Sequence, residues 1–251
     1  MQPSFNAADQ DDSPKLPSNS LYPTLLGMLI YVLQTRPDIA YAVNRLATRS
    51  SIATEKDLSA IRQVIAYLRT TRHLELVYNS SCPRQRKTVT RLQAWSDAAY
   101  LTHRDSRSHS GVCFSLGDDS GSFHSRSNKQ TMVTLSSTEA ELHAACEATK
   151  DITYFRAILA ELGFPQITPT PLYVDNKSLI TLAQQFSGNH KRCKHFLARI
   201  HYMIEQVEQH VVKLEHVQGT TLQADMLTKP KARPGFEANR QLMLGPQRHS
   251  R

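Results

Sequence analysis

Four acidic side chains are the ones best placed to do chemistry: Asp97 in Trp95-Ser96-Asp97-Ala98, Glu141 in Ser136-Ser137-Thr138-Glu139-Ala140-Glu141, Asp175 in Tyr173-Val174-Asp175-Asn176 and Asp225 in Gln223-Ala224-Asp225-Met226. Each stands where a strand pattern ends or a helix pattern begins, so segments far apart in the chain can bring all four to one end of a sheet. Carboxylates gathered that closely repel one another unless cations lie between them, and hard divalent ions with oxygen ligands are the usual remedy. Two magnesium ions, or manganese in their place, acting on a phosphodiester is the chemistry this set suggests.

The two neighbouring glutamates separate on local grounds. Ser136-Ser137-Thr138-Glu139 fits a capping box, in which Glu139 folds back on the N-cap amide and is occupied structurally. Glu141 has no such local task, and its neighbours one and two turns on are Ala144, Ala145 and Ala148, a small-residue stripe that lets this face approach a sheet closely. Glu141 is therefore the metal-facing candidate and Glu139 the alternative. Taken singly, an aspartate closing a strand is most often a turn or capping residue, and Asp225 also suits first-turn charge facing a helix dipole. Their combination is what points to metal.

The elements that must position these residues follow from the pattern around them. Residues 1–20 are polar, with Pro3, Pro14 and Pro17, and are expected to be disordered. Over 21–78, Leu25, Leu26, Leu29, Ile30, Val32 and Leu33 have helical spacing, Pro37 suits the first turn of a second helix, and Thr54 suits the N-cap of a third carrying Leu58, Ile61, Val64, Ile65 and Leu68. Residues 79–91 are polar and basic and read as a linker. Over 92–230 come three short strand candidates, Leu92 to Asp97, Gly111 to Leu116 and Ser122 to about Thr134, joined as antiparallel hairpins. A helix from Ser136, a strand at Leu172 to Asp175, a helix from Asn176, a longer helix at Phe196 to Gln209, a strand at Val211 to Val217 and a last helix near Asp225 follow. Three antiparallel strands followed by alternating helix and strand imply an α/β fold with a mixed sheet. Residues 231–251 read as a basic, mostly irregular tail, with one further helical piece available over Phe236 to Leu244.

Bulk properties narrow the function classes. With 251 residues and 40% hydrophobic content, the chain holds one large domain or two small ones around a real core. No apolar run approaches the ~18 residues of a membrane helix, and Met1-Gln2-Pro3-Ser4 lacks the pattern of a secretory signal, so no membrane partner and no export are expected. The formal charge of +8 and pI near 9.4 favour a polyanion such as nucleic acid. Cys82, Cys113, Cys146 and Cys193 are scattered, without a Cys-x-x-Cys pair or zinc-type spacing, and read as reduced thiols.

An ordered set of motifs resembles the C-terminal part of the Pol polyprotein of copia-type LTR retrotransposons, the end of the reverse transcriptase followed by the ribonuclease H domain. The motifs are Leu21 to Tyr31 (LYPTLLGMLIY), Thr35 to Asn44 (TRPDIAYAVN), Ser96 to Tyr100 (SDAAY), Ser108 to Gly111 (SHSG), Ser136 to Glu141 (SSTEAE), Val174 to Asn176 (VDN), Lys194-His195, and Ala224 to Lys229 (ADMLTK). They span roughly residues 21 to 245; singly most are weak, and their order makes them specific. The resemblance implies a ribonuclease H-like fold over 92–230 that cuts the RNA strand of an RNA/DNA hybrid, preceded at 21–78 by a helical remnant of the reverse transcriptase thumb or connection. The reverse transcriptase part of the same polyprotein is the implied partner, and Asp97, Glu141, Asp175 and Asp225 fall in the family's Asp, Glu, Asp, Asp order. In that mechanism the acids hold two Mg2+ ions, one activating water and the other stabilising the leaving 3′ oxygen.

His216 is the candidate for the assisting histidine that ribonucleases H often carry before the last aspartate; its plain alternative is a strand residue in step with Val212 and Leu214. Where copia relatives usually have a tryptophan in the strand before Asn128, this chain has Ser122-Phe123-His124-Ser125. Lys191, Arg192, Lys194 and His195, just before a long helix, form the best phosphate-gripping cluster, with Arg104 and Arg107 in the loop after Asp97 and Arg126 and Lys129 in the third-strand region. Leu172 to Asn176 imitates a polymerase signature, but its second position is Asn176 and no palm-length segment precedes it, which argues against polymerisation. An early glutamate on the first long helix argues against the Asp, Asp, Glu order of transposases and integrases. The competing reading is a fragment that keeps the fold and basic surface, binds nucleic acid and no longer cuts.

Overall fold

The computed structural model describes residues 13–78, 91–117, 120–185 and 194–247. Its sheet begins with the three hairpin-linked segments: β1 (Leu92–Ala99), β2 (His109–Leu116) and β3 (Ser122–Lys129) pair antiparallel, with Trp95 opposite Cys113 and Asp97 opposite Gly111. Two later strands, β4 (Thr170–Val174) and β5 (Val212–His216), add in parallel, β4 beside β1 and β5 beside β4, giving the order β3-β2-β1-β4-β5. The mixed α/β sheet expected from the sequence is therefore present. Its third strand stops at Lys129, short of Thr134; Gln130 then donates its amide to the Ser108 carbonyl and its side chain to Ser110 and the Ala140 carbonyl.

Three helices cover one face of the sheet. The long helix, labelled α4 once the three N-terminal helices below are counted, runs Ser137–Glu161; Ser136 caps it by accepting from the Glu139 amide at 3.1 Å, while Glu139 reaches one residue further back, to the Leu135 amide at 2.7 Å. Ala144, Ala145 and Ala148 are fully buried on it, and that narrow stripe brings the helix against Leu92, Ala94, Phe114, Leu172 and Val174 of the sheet. Helices α5 (Lys177–Gln185) and α6 (Lys194–Glu208) complete the layer, with Leu179, Ile200 and Met203 in the same core. Asn176 caps α5 by accepting from the Leu179 amide.

The N-terminal helices α1 (Tyr22–Val32), α2 (Ala40–Ala47) and α3 (Glu55–Thr70) build a second core around Tyr22, Leu26, Leu29, Val43, Leu46 and Ile61. Thr54 and Asp57 form a complete capping box at α3. Asp38 receives a two-pronged ion pair from Arg36, at 2.9 and 2.7 Å, and a third bond from the Tyr67 hydroxyl at 2.6 Å. The Thr-Arg-Pro-Asp motif is thus a buried structural knot, since a carboxylate removed from water needs this many donors.

Three expectations are corrected. Leu16, in the segment expected to be disordered, packs on the core of the helical unit and donates its amide to the Ala53 carbonyl; residues 1–12 lie outside the described ones, as does the linker over 79–90. The segment bearing Asp225 is a short 3-10 turn, Gln223–Leu227, in place of a helix; Pro230 follows closely, and its ring cannot continue a helix. In place of a mostly irregular tail stands helix α7 (Arg233–Leu244), whose Met243 and Leu244 are buried.

Helix α7 and the segment before the linker lock the two cores together. Val77 donates to the Leu244 carbonyl and accepts from the Gly121 amide, both at 2.8 Å. A second seam is a buried polar chain. Arg45 on α2 donates to His103 Nδ1, His103 Nε2 meets His109 Nδ1 at 2.9 Å, His109 Nε2 meets Ser127 Oγ at 2.8 Å, and Ser127 donates to the Leu227 carbonyl at 2.6 Å. Arginine can only donate and a carbonyl can only accept, so every proton in the chain is assigned: both histidines are neutral and protonated at Nε2.

Candidate metal centre

Asp97 lies near the end of β1, Asp175 directly follows β4, its neighbour in the sheet, and Glu141 sits in the second turn of α4, which lies across those strands. One carboxylate oxygen from each of the three comes within 4.8 Å of the others. Asp97 is 2% exposed and Glu141 6%. Among the described residues, Glu141 Oε2 is buried without a hydrogen-bond partner, while the carboxylate is otherwise approached by the Ala98 backbone.

Burial pushes the Asp97 carboxyl up to about 6, against the Thr228 hydroxyl and Lys229, which favour its charged form, and with Asp225 and Asp175 adding repulsion. Burial likewise holds Glu141 well above the usual carboxylate range, with Asp97 and Asp175 adding to it. Three converging carboxylate oxygens, with burial raising the proton affinity of Asp97 and Glu141, are hard anionic donors suited to a divalent cation, and this donor set fits magnesium or manganese.

Asp225 is buried beside this group and its charge is felt at Asp97. It does not join the three converging oxygens: Lys229 pairs with one of its oxygens and Lys231 with the other. The 3-10 turn nevertheless reaches the site through Thr228, fully buried, whose hydroxyl donates to Asp97 Oδ2. Gly111 makes this approach possible. A Cβ at position 111 would lie 2.7 Å from the Ala224 carbonyl oxygen, 2.7 Å from Leu227 Cβ and 2.8 Å from Thr228 Cγ2. Gly219 plays a similar part on the other side, where an added Cβ would come 3.1 Å from Asp175 Oδ2.

The remaining candidates are dispersed. His216 closes β5 opposite Val174 and is exposed. Arg107 and Lys129 both meet Asp105, at 3.4 and 2.7 Å, and Arg126 pairs with Asp151 at 2.8 Å. Arg104 is exposed on the same loop as Arg107. Lys191 and Arg192 lie outside the described residues, and Lys194 and His195 are described only as the backbone that opens α6. Sequence reasoning missed Thr228, Lys231 and Gly219. The available signal for Thr228 was a hydroxyl three residues after an acid, which is too common to single out.

A sheet of this order, with acids from β1, α4 and the end of β4 meeting at one edge, defines a protein of the ribonuclease H-like α/β class. The solved foamy viral protease-reverse transcriptase in complex with double-stranded DNA superposes with a TM-score of 0.50 at 11% identity, over 91% of this chain and 35% of that one. The LC11 ribonuclease H1 isolated from compost matches 55% of this chain and 93% of its own, at 18% identity and a TM-score of 0.42. No protein-family model matches.

Sequence relatives give the kinship. The chain is 32% identical over 224 residues to the retrovirus-related Pol polyprotein of transposon RE1 from Arabidopsis thaliana, covering 89% of this chain and 15% of that polyprotein. It is 32% identical over 224 residues to that of transposon TNT 1-94 from Nicotiana tabacum, covering 88% and 16%, and 26% identical over 207 residues to the Ty1-NL2 Gag-Pol polyprotein of Saccharomyces cerevisiae, covering 82% and 12%. The chain is related to the Pol polyproteins of copia-type retrotransposons, in keeping with a C-terminal Pol part, and spans only about 15% of the length of the curated relatives it matches.

Proposed function

We propose that this chain is a ribonuclease H-type endonuclease that hydrolyses the RNA strand of an RNA/DNA hybrid, as part of a retrotransposon Pol protein whose reverse transcriptase is its partner. The observation carrying this reading is the buried meeting of Asp97, Glu141 and Asp175 within 4.8 Å, with Glu141 Oε2 lacking a partner. These three are the proposed holders of two Mg2+ ions, with Mn2+ as a substitute and Asp225 as the fourth acid at the rim. When bound, such ions supply an activated water and charge stabilisation at the leaving 3′ oxygen.

The chain's own residues prepare the site. Thr228 orients Asp97, the Ala98 backbone steadies one side of Glu141, and Gly219 leaves space beside Asp175. Arg104 and Arg107, on the loop after β1, are the proposed phosphate contacts among the described residues, with Lys191, Arg192, Lys194 and His195 as a second set and His216 as an assisting group at the rim. The basic balance of +8 supports a polyanionic substrate held without sequence reading.

The test is cleavage of a labelled RNA/DNA duplex with Mg2+ by the parent chain and by Asp97→Asn. Cutting that disappears in the variant while duplex binding persists supports the enzyme. Duplex binding by the parent without cutting favours a silent fragment that only binds nucleic acid, a reading to which the lysine-paired state of Asp225 lends weight.

A further inference from the structure

We propose that the Lys229 ammonium is a built-in, displaceable counter-cation of the acidic site, which keeps Asp225 out of the ligand set until a divalent ion drives it off. This inference rests on the metal-site reading above. Four carboxylates gather here, and a cluster of that kind needs positive charge near it to fold. Two lysines supply it, and they differ in how they are held.

Lys231 pairs with one oxygen of Asp225, and its side chain is only 13% exposed; its stem lines a cleft with Phe236, Tyr67 and Met226. It is a largely buried partner of Asp225. Lys229 pairs with the other oxygen, but its side chain is 49% exposed. Its charge acts on Asp97 and Asp175 as well as Asp225, and on Glu141. It therefore pairs with Asp225 from the solvent side, with its charge reaching the other three acids.

A lysine ammonium is a compact charge on a flexible four-carbon stem, strongly hydrated, so swinging into water costs it little. A divalent ion seated among Asp97, Glu141 and Asp175 would repel it at close range. Release of Lys229 then frees one Asp225 oxygen to face the ion while Lys231 keeps the other in place. The acid that the sequence assigns to the ligand set and the structure leaves outside it thus has a route in.

Mn2+ binding to the full chain, followed by the spectroscopic signal of free Mn2+, tests this without reference to cleavage. Removing a unit positive charge at the rim in Lys229→Gln is expected to tighten Mn2+ binding by about tenfold, whereas Lys229→Arg, which keeps the charge, is expected to match the parent. Equal or weaker binding in Lys229→Gln overturns the proposal. In the unmodified chain, reductive methylation of Lys229 read by mass spectrometry is expected to speed up when Mn2+ is added, with Lys231 unchanged; an unaltered Lys229 rate also overturns it, even if the variant fails to fold. A parent chain that binds no Mn2+, or an Asp97→Asn chain that binds it equally well, refutes the metal site itself and not this role of Lys229 alone.

Discussion

Asp97 shows how a site can be costly to the fold that carries it. Its carboxyl, pushed up to about 6 by burial, binds a proton more readily folded than unfolded. The stability it contributes is therefore present below its unfolded pKa of about 3.9 and lost as pH rises through about 6. Above that pH, without metal, the buried charge weighs against folding. Asp97→Asn is expected to raise metal-free stability at pH 7.5 by ~1–3 kcal/mol in urea unfolding, while abolishing the stabilisation that added Mg2+ gives the parent. A variant less stable than the parent in chelator would contradict this account.

His109 pulls the other way. Burial, then His103, Arg45 and Lys129, hold it well below its ordinary value, so the folded state keeps it neutral while the unfolded chain takes up a proton near pH 6.5. Its contribution to stability is present above that pH and fades as pH falls toward the folded value. The urea midpoint of the parent minus that of His109→Gln should shrink on going from pH 7.5 to 5.5; a constant difference would mean that the histidine carries no such linkage.

At the scale of elements, the 3-10 turn Gln223–Leu227 is held by what it approaches. Gly111 on β2 admits it, Thr228 ties it to Asp97, and Ser127 on β3 binds the Leu227 carbonyl. Gly111→Ala would force a Cβ into contacts at 2.7 Å with backbone and side chain. We expect a loss of ~1–3 kcal/mol in thermal or urea unfolding, together with weaker Mn2+ binding, since the Asp97 hydrogen bond moves with the turn. Unchanged Mn2+ affinity would show that the turn has no influence on the acids.

Elements were legible in the sequence where one local signal dominated. The strand candidate Leu92 to Asp97 and the Ser136 cap both predict what is found, and the alanine stripe after Glu141 predicts the close seating of α4. The turn at Asp225 and helix α7 were less legible because their form depends on distant partners: Gly111 for the turn, and Val77 and Leu222 for the helix and its end. The meeting of Asp97, Glu141 and Asp175 follows from strand order, which periodicity alone implies only loosely. The diversion of Asp225 to two lysines has no local signature, since Lys229 at i+4 from an acid is also an ordinary helix pair.

At the scale of the molecule, the helical unit and the sheet share too many buried polar links to behave as strangers. Arg45 reaches His103, Val77 bridges Gly121 and Leu244, and Arg240 of α7 bonds the Tyr67 hydroxyl at 3.2 Å. Trp95, the chain's one tryptophan, sits in the small core that joins Ala40 of α2 to the turn residues Leu222, Ala224 and Met226. Thermal unfolding followed by Trp95 fluorescence and by far-ultraviolet circular dichroism is expected to give coincident transitions. A helical signal lost before the fluorescence changes would show that the two units melt apart.

Position 111 has a consequence for how such sequences age. A lineage of element copies drifting without selection is usually judged by whether its acids survive. Here a single methyl group, on a residue that carries no charge, is expected to displace the segment that orients the first of them. On the proposed function, a copy altered at position 111 would fall silent with its whole acidic signature intact, and a census of live elements by carboxylates alone would count it as live.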